Sequence, residues 1–179
     1  MGTRSGDLDP GLVNYFSQTE NMTPTQFDRM VNHESGIIGV SETSSDIRDL
    51  LAIEASDVRA AEALAMFCYQ VKKCIGSFAA ALEGVDTVVF SGGIGENSSV
   101  IRSRICEGLD FLGIELDEPR NAKNAGLISA SNVGTTVRVI RTDEELMIAK
   151  SVCLTLGMCG AMEAATANCL VGADGKETE

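Results

Sequence analysis

Thr87-Val88-Val89-Phe90-Ser91-Gly92-Gly93-Ile94-Gly95-Glu96-Asn97 is the stretch on which the reading of this chain turns. Its first four residues form a short, β-rich apolar run, which predicts a continuous strand of the fully buried type. Gly92, Gly93 and Gly95 then let the backbone turn with φ > 0 and approach a ligand with no Cβ in the way. A helix starting at Ser98 or Ser99 would offer unpaired N–H groups and the positive end of its dipole, which favours phosphate. Two standard phosphate loops do not fit. Ser98 stands where G-x-G-x-x-G needs its third glycine, and no G-x-x-x-x-G-K-[ST] occurs. The glycines alone suit a tight corner as well as a phosphate cradle. Glu96 and Asn97 favour the cradle, because a simple corner has no need of a carboxylate and an amide together.

Before the strand, Leu64, Phe67, Cys68, Val71, Ile75, Phe78 and Leu82 recur at helical spacing, predicting a long helix over Asp57–Leu82 with that face buried. Gly84 ends it. Further upstream, residues 1–6 read as a flexible loop, Asp9-Pro10 opens a short helix, and Thr23-Pro24 is a cap followed by a first-turn proline. Ile37 to Val40 is too short to assign, and Ser41 to Ser45 reads as a loop. Ser45 or Asp46 then caps a helix from Ile47 to Ala55. After the strand, the helix from Ser98 or Ser99 carries Val100, Ile101, Ile105, Leu109 and Leu112. Asp117 to Ala125 reads as irregular, and Thr135 to Ile140 as a second strand with alternating burial. Thr142 or Asp143 caps a last helix through Leu146, Ile148, Ala149 and Val152. From Gly157 the chain is rich in Ala, Met, Cys and Gly, and Gly172 to Glu179 reads as disordered. Strand–helix alternation behind a helix-rich front half makes the class α/β.

At 179 residues the chain suffices for one well-packed domain. Only 14 Lys and Arg face 26 Asp and Glu, a formal net charge of −12. That balance argues against sequence-independent nucleic-acid binding, which draws on many cation–phosphate contacts. It leaves room for one phosphorylated small molecule, since a few local donors outweigh global charge at short range. No run of eighteen apolar residues predicts a membrane span, and no apolar leader is seen, so a cytoplasmic location is expected. The six cysteines form no C-x-x-C pair, and His33 is the sole histidine, so reduced thiols are expected rather than a zinc site.

Single residues divide between a bland and a chemical role. Arg4, between Thr3 and Ser5-Gly6, is either a solvated arginine or a clamp for phosphoryl or carboxylate oxygens. Asp46, in Asp46-Ile47-Arg48, is first an N-cap and second a ligand contact. Glu144 and Glu145 follow Asp143 at a helix start, where the dipole favours acids and where Mg²⁺ can also be held through water.

Five stretches, in this order, resemble one family: Met1 to Pro10, Ser45-Asp46-Ile47-Arg48-Asp49, Gly92 to Asn97, Phe111 to Asp117, and Arg141 to Ala149. They are similar to the motifs of acetate kinase, of the acetate and sugar kinase/Hsp70/actin superfamily. The likeness runs from residue 1 to about 152. It implies an actin-like (ribonuclease H-like) ATPase domain corresponding to the family's second domain, over residues 1–155, with 156–179 as a tail. The implied reaction is ATP + acetate ⇌ ADP + acetyl phosphate with Mg²⁺. By similarity Arg4 stabilises the transferring phosphoryl group. Asp46, Ile47 and Arg48 line the adenosine pocket, Gly93, Ile94, Gly95, Glu96 and Asn97 contact nucleotide, and Glu144 serves the metal. The family also dimerises through this half, which makes the Asp57–Leu82 helix a candidate homodimer surface.

The resemblance departs in one large respect. The family's first domain has no counterpart here, nor do its amino-terminal asparagine, second substrate-binding arginine, catalytic aspartate and histidine, and phosphate-contacting glycine loop. His33 does not match the catalytic position, and Met1 looks internal to the family pattern, as in a fragment. The expectation is therefore a nucleotide-binding half that is inactive alone. A non-catalytic nucleotide-binding or dimerisation module, or a propionate kinase, remain as alternatives.

Overall fold

The computed structural model describes residues 2–131 and 134–157. These fall into two compact units that divide between Ile140 and Arg141. The first contains eight helices among its described residues: α1 (Gly11–Thr19), α2 (Pro24–His33), α3 (Gly36–Ser41), α4 (Ile47–Ile53), α5 (Val58–Ala81), α6 (Gly92–Asn97), α7 (Ser99–Cys106) and α8 (Glu118–Ala122). Two strands, β1 (Thr87–Phe90) and β2 (Thr136–Val139), pair in parallel with Thr87 opposite Thr136 and Phe90 opposite Val139. The second unit is described through α9 (Glu144–Thr155).

Helix starts follow local chemistry. Thr23 and Gln26 form a reciprocal capping box at α2, with Pro24 in the first turn. Asp46, Asp57 and Asp143 each accept a backbone N–H at the head of α4, α5 and α9. At the centre of the first unit, α5 packs against α3, α4 and α7. Leu50, Ala60, Ala63, Leu64 and Cys68 join Ile101, Ile105, Ile128, Val137 and Phe90 in one continuous core.

Several expectations change. The apolar stripe of α5 outruns the core: Phe78 and Leu82 are 65% and 72% exposed, because α5 extends past the helices that cover its first half. β1 is buried on one face only. Phe90 lies inside, but Val89 is exposed, since side chains alternate and the core covers a single face of the sheet. Ile37 to Val40 belongs to a helix, and Asp117 to Ala125 contains α8, capped by Asp117 with Pro119 in its first turn. Val100 faces solvent, and α7 stops at Cys106, before a separate 3-10 turn over Asp110–Leu112. β2 alternates as expected. The tail beyond Gly157, with Cys159 and Cys169, lies outside the described residues.

The amino-terminal stretch is anchored rather than loose. Gly2 O accepts from Ile38 N, Thr3 O from Ser35 N, and Val31 O from Ser5 N. Thr3 Oγ1 adds a bond to Asn32 O at 3.0 Å. Residues 2–5 thus run bonded along α2 and the start of α3, so the exposed Arg4 side chain stands on a fixed backbone.

Candidate functional site

The site is built on the loop into α4. Buried Ser41 closes the end of α3 by donating Oγ to Ser44 O at 2.8 Å. Ser44 Oγ donates to Asp49 at 2.7 Å and accepts from Asp46 N at 3.0 Å, so the loop serines fix where α4 begins. Asp46 caps the helix through Arg48 N at 2.8 Å and also receives the Arg48 guanidinium, with Nη2 2.6 Å from Oδ2. Hydrogen bonding to Arg48 pulls the Asp46 carboxyl down to about 2. Ile47 turns inward and is buried. At the other end of α4, Glu54 meets Arg104 of α7 in a two-pronged pair at 2.7 and 2.8 Å, which locks α4 to α7.

The glycine stretch is not a loose turn before a later helix. It is itself a helix, α6, that starts at Gly92 directly after β1. Only Gly92 has a positive φ, +71°. Gly93 and Gly95 are helical, so the φ > 0 expected of them is absent, because the single reversal at Gly92 completes the change from strand to helix. Gly95 is needed for packing: a Cβ there would lie 3.3 Å from the carbonyl carbon of Phe90. Gly93 has no such neighbour, and a Cβ would enter open space. Glu96 and Asn97 turn out to have structural partners. Glu96 Oε1 accepts from Gly92 N at 2.9 Å, and Asn97 Nδ2 donates to Gly93 O at 2.9 Å.

The two stretches lie far apart in the chain, yet they face each other. Ser45, Asp46, Ile47, Arg48 and Leu51 form one wall of a cleft of about 780 Å³; Gly93, Ile94, Asn97 and Ser98 form the other. That volume suits a small-molecule ligand. Of the expected contacts, Asp46, Ile47, Arg48, Gly93, Ile94 and Asn97 line it, while Gly95 and Glu96 are turned to the protein. Arg4 is not on its walls, although Gly2 of the same stretch approaches Ser45 at the rim, 3.5 Å from a Cβ built on Gly2 to Ser45 Cβ. No ion pair is formed by Arg4 among the described residues. Glu144 is the exposed first residue of α9 in the other unit. Among the described residues, no three His, Cys, Asp or Glu side chains gather as a metal cage. Mg²⁺ needs no such cage when nucleotide phosphates and water complete its shell, so a single carboxylate fits that use.

Sequence reasoning missed Arg102, which is wholly buried on α7 behind α6. Its signal was present: Arg102 shares the helical face of Ile105, Cys106 and Leu109, at i+3, i+4 and i+7. A charged residue on an otherwise buried stripe demands a polar job.

The chain matches the Acetokinase family over residues 1–150. It belongs to that family. Among its relatives, a propionate kinase of Citrobacter rodentium (strain ICC168) is 47% identical over 153 residues, covering 85% of this chain and 38% of the relative. An acetate kinase of Phocaeicola vulgatus is 47% identical over 152 residues, with 83% and 38% covered. The crystal structure of Porphyromonas gingivalis acetate kinase superposes with a TM-score of 0.79 at 41% identity, covering 87% of this chain and 40% of that one. The fold is accordingly a helix-rich α/β domain of the actin-like ATPase kind. The chain spans about 38% of the length of the curated relatives it matches.

Proposed function

We propose that this chain is the nucleotide-binding half of an acetate kinase-type phosphotransferase, serving ATP + acetate ⇌ ADP + acetyl phosphate together with an amino-terminal half. The observation that carries the reading is Gly93. It lines the cleft, its φ is ordinary, and no protein atom stands where its Cβ would be. Glycine is a poor helix residue, so the protein itself has no use for it there. A ligand lying against the α6 backbone does.

On this reading the adenosine lies between Ile47, Leu51 and Ile94, with Asp46, Arg48 and Asn97 at its polar edge. Arg4 neutralises charge on the phosphoryl group as the bond to the leaving ADP oxygen breaks and that to the acetate oxygen forms. Positioning and charge compensation supply nearly all the catalysis in such transfers. Glu144 would be the carboxylate offered to Mg²⁺, which would supply charge neutralisation at the phosphate oxygens. The same reading makes the enzyme a cytoplasmic homodimer, with the exposed Tyr69 and Phe78 of α5 as a candidate contact.

Propionate as acceptor is the second reading, favoured by relatives of equal identity that bear either name. One methylene separates the two acids, a difference worth roughly 10- to 200-fold in a pocket. The test is a hydroxamate assay with each acid, on the chain alone and with an acetokinase amino-terminal half added, beside ADP calorimetry. The proposal expects ADP binding, no turnover alone, and turnover on mixing. Turnover by the chain alone would refute the need for a second half. ADP binding with no turnover on mixing would leave only a non-catalytic module, and no ADP binding would overturn the site.

A further inference from the structure

We propose that Arg102 is a positioning residue for the cleft, holding α6 in the form that presents Gly93, Ile94 and Asn97; this rests on the reading of the cleft as the nucleotide site. A guanidinium has five N–H donors in a fixed fork. Here each has an acceptor. Nε donates to Asn121 Oδ1 at 2.7 Å. Nη1 donates to the carbonyls of Gly95 and Glu96 at 2.8 and 3.1 Å. Nη2 donates to Asn121 O at 2.7 Å and Asn124 Oδ1 at 2.6 Å. No carboxylate pairs with Arg102 among the described residues, so these neutral oxygens hold the buried charge.

The arrangement answers a weakness of α6. A helix of six residues does not stand alone in water; Ser98 N caps Ile94 O at 3.0 Å, which leaves the carbonyls of Gly95 and Glu96 to a side-chain donor. Arg102 supplies two donors there, with a positive charge at the negative end of the dipole. The next residues, Asn97 and Ser98, are cleft wall. The other end of the clamp is equally fixed: Asn121 is fully buried, with Nδ2 bonding Ser99 O and Ser103 Oγ at 3.1 and 2.8 Å. Asn124 holds its carbonyl toward Arg102 from a left-handed turn, φ +51°. Lysine, with three donors from one nitrogen, cannot span these groups.

The experiment compares Arg102→Lys and Asn124→Gly with Leu109→Ala, a core change outside the clamp. Asn124→Gly keeps the positive φ and removes one acceptor, so it remains informative where Arg102→Lys fails to fold. Amide hydrogen exchange over Gly92–Ser98 and ADP affinity by calorimetry are read on the full chain, well below each unfolding temperature. Faster exchange confined to α6 and ADP affinity weaker by roughly tenfold are expected in both clamp variants, as loss of a charge-assisted hydrogen bond implies. Leu109→Ala should leave both readings near wild type. Clamp variants whose α6 exchange and ADP affinity follow Leu109→Ala would overturn the proposal. A wild-type chain that binds no ADP would overturn the nucleotide reading instead, and exchange would still report whether Arg102 holds α6.

Discussion

Replacing Gly93 with alanine should separate ligand binding from stability, because the three glycines of α6 have three different jobs. At Gly93 the backbone is helical and the added Cβ meets no protein atom. Gly→Ala at such a compatible position stabilises by about 0.4–1 kcal/mol, chiefly by restricting the unfolded chain. For a chain of this size that raises the unfolding temperature by about 1–4 °C. Gly92→Ala, forced to φ +71°, should instead cost about 1–2 kcal/mol. Gly95→Ala brings a Cβ to 3.3 Å from the Phe90 carbonyl carbon and should also destabilise, by about 1 kcal/mol as β1 and α6 move apart. The binding result for Gly93→Ala runs the other way. A methyl group projecting into a filled cleft costs about 1–3 kcal/mol in overpacking, or about 5- to 150-fold in affinity. Thermal unfolding without ligand and calorimetry with ADP read the two effects separately. A Gly93→Ala variant that is less stable than wild type would refute the open-space argument. One that binds ADP as wild type does would refute the claim that ligand lies against this residue.

The Asp46 carboxyl has a folded pKa of about 2, below its ordinary 3.8, so its contribution is complete above the unfolded value and is lost as pH falls through about 2. The difference in urea midpoint between wild type and Asp46→Asn, which keeps a cap acceptor but loses the Arg48 pair, should hold steady from pH 7 to about 5 and shrink below about 4; a gap that widens on acidification would contradict the assignment. Thiol labelling at pH 8 with peptide mapping should modify exposed Cys74 quickly and spare Cys68 and Cys106, both buried, with desolvation pushing Cys106 up to about 12 and Cys68 also upward. Labelling of Cys106 at the rate of Cys74 in native buffer would show that the α7 core opens readily.

Features governed by neighbours within one helical turn were legible in the sequence. Thr23 with Gln26, Asp46, Asp57 and Asp143 are caps because their oxygens reach amides two or three residues on, and no tertiary information is needed to see it. Asp117 with Pro119 carries a similar signature, but α8 has five residues and no apolar stripe to reveal it. The extent of burial was less legible. Val89 and Phe78 belong to apolar patterns that a buried strand and a buried helix would also show, and only tertiary neighbours decide which residues are covered. At the site, the motifs identified the wall residues, whereas their juxtaposition required the fold. Glu96 and Asn97 show the limit most clearly. Their side chains favoured a cradle on paper, yet each bonds the backbone of its own short helix, and the case for a ligand moves to Gly93, which bonds nothing through its missing side chain.

The cleft between α4 and α6 is held by contacts within the first unit. Each wall is fixed from both ends. The α4 wall has the Ser44–Asp46–Arg48 network at its head and the Glu54–Arg104 pair at its foot. For the α6 wall, close packing of Gly95 on Phe90 secures the strand side, and the Arg102 clamp secures the far side. Both far anchors converge on α7, where Arg102 and Arg104 sit two residues apart and therefore point to different sides of the helix. One side reaches α6, Asn121 of α8 and Asn124 just beyond that helix; the other reaches α4. The separation of the walls is thus set by a single helix whose Ile101 and Ile105 are buried in the core. On the proposed reading, these anchors hold the cleft in shape before a nucleotide enters it.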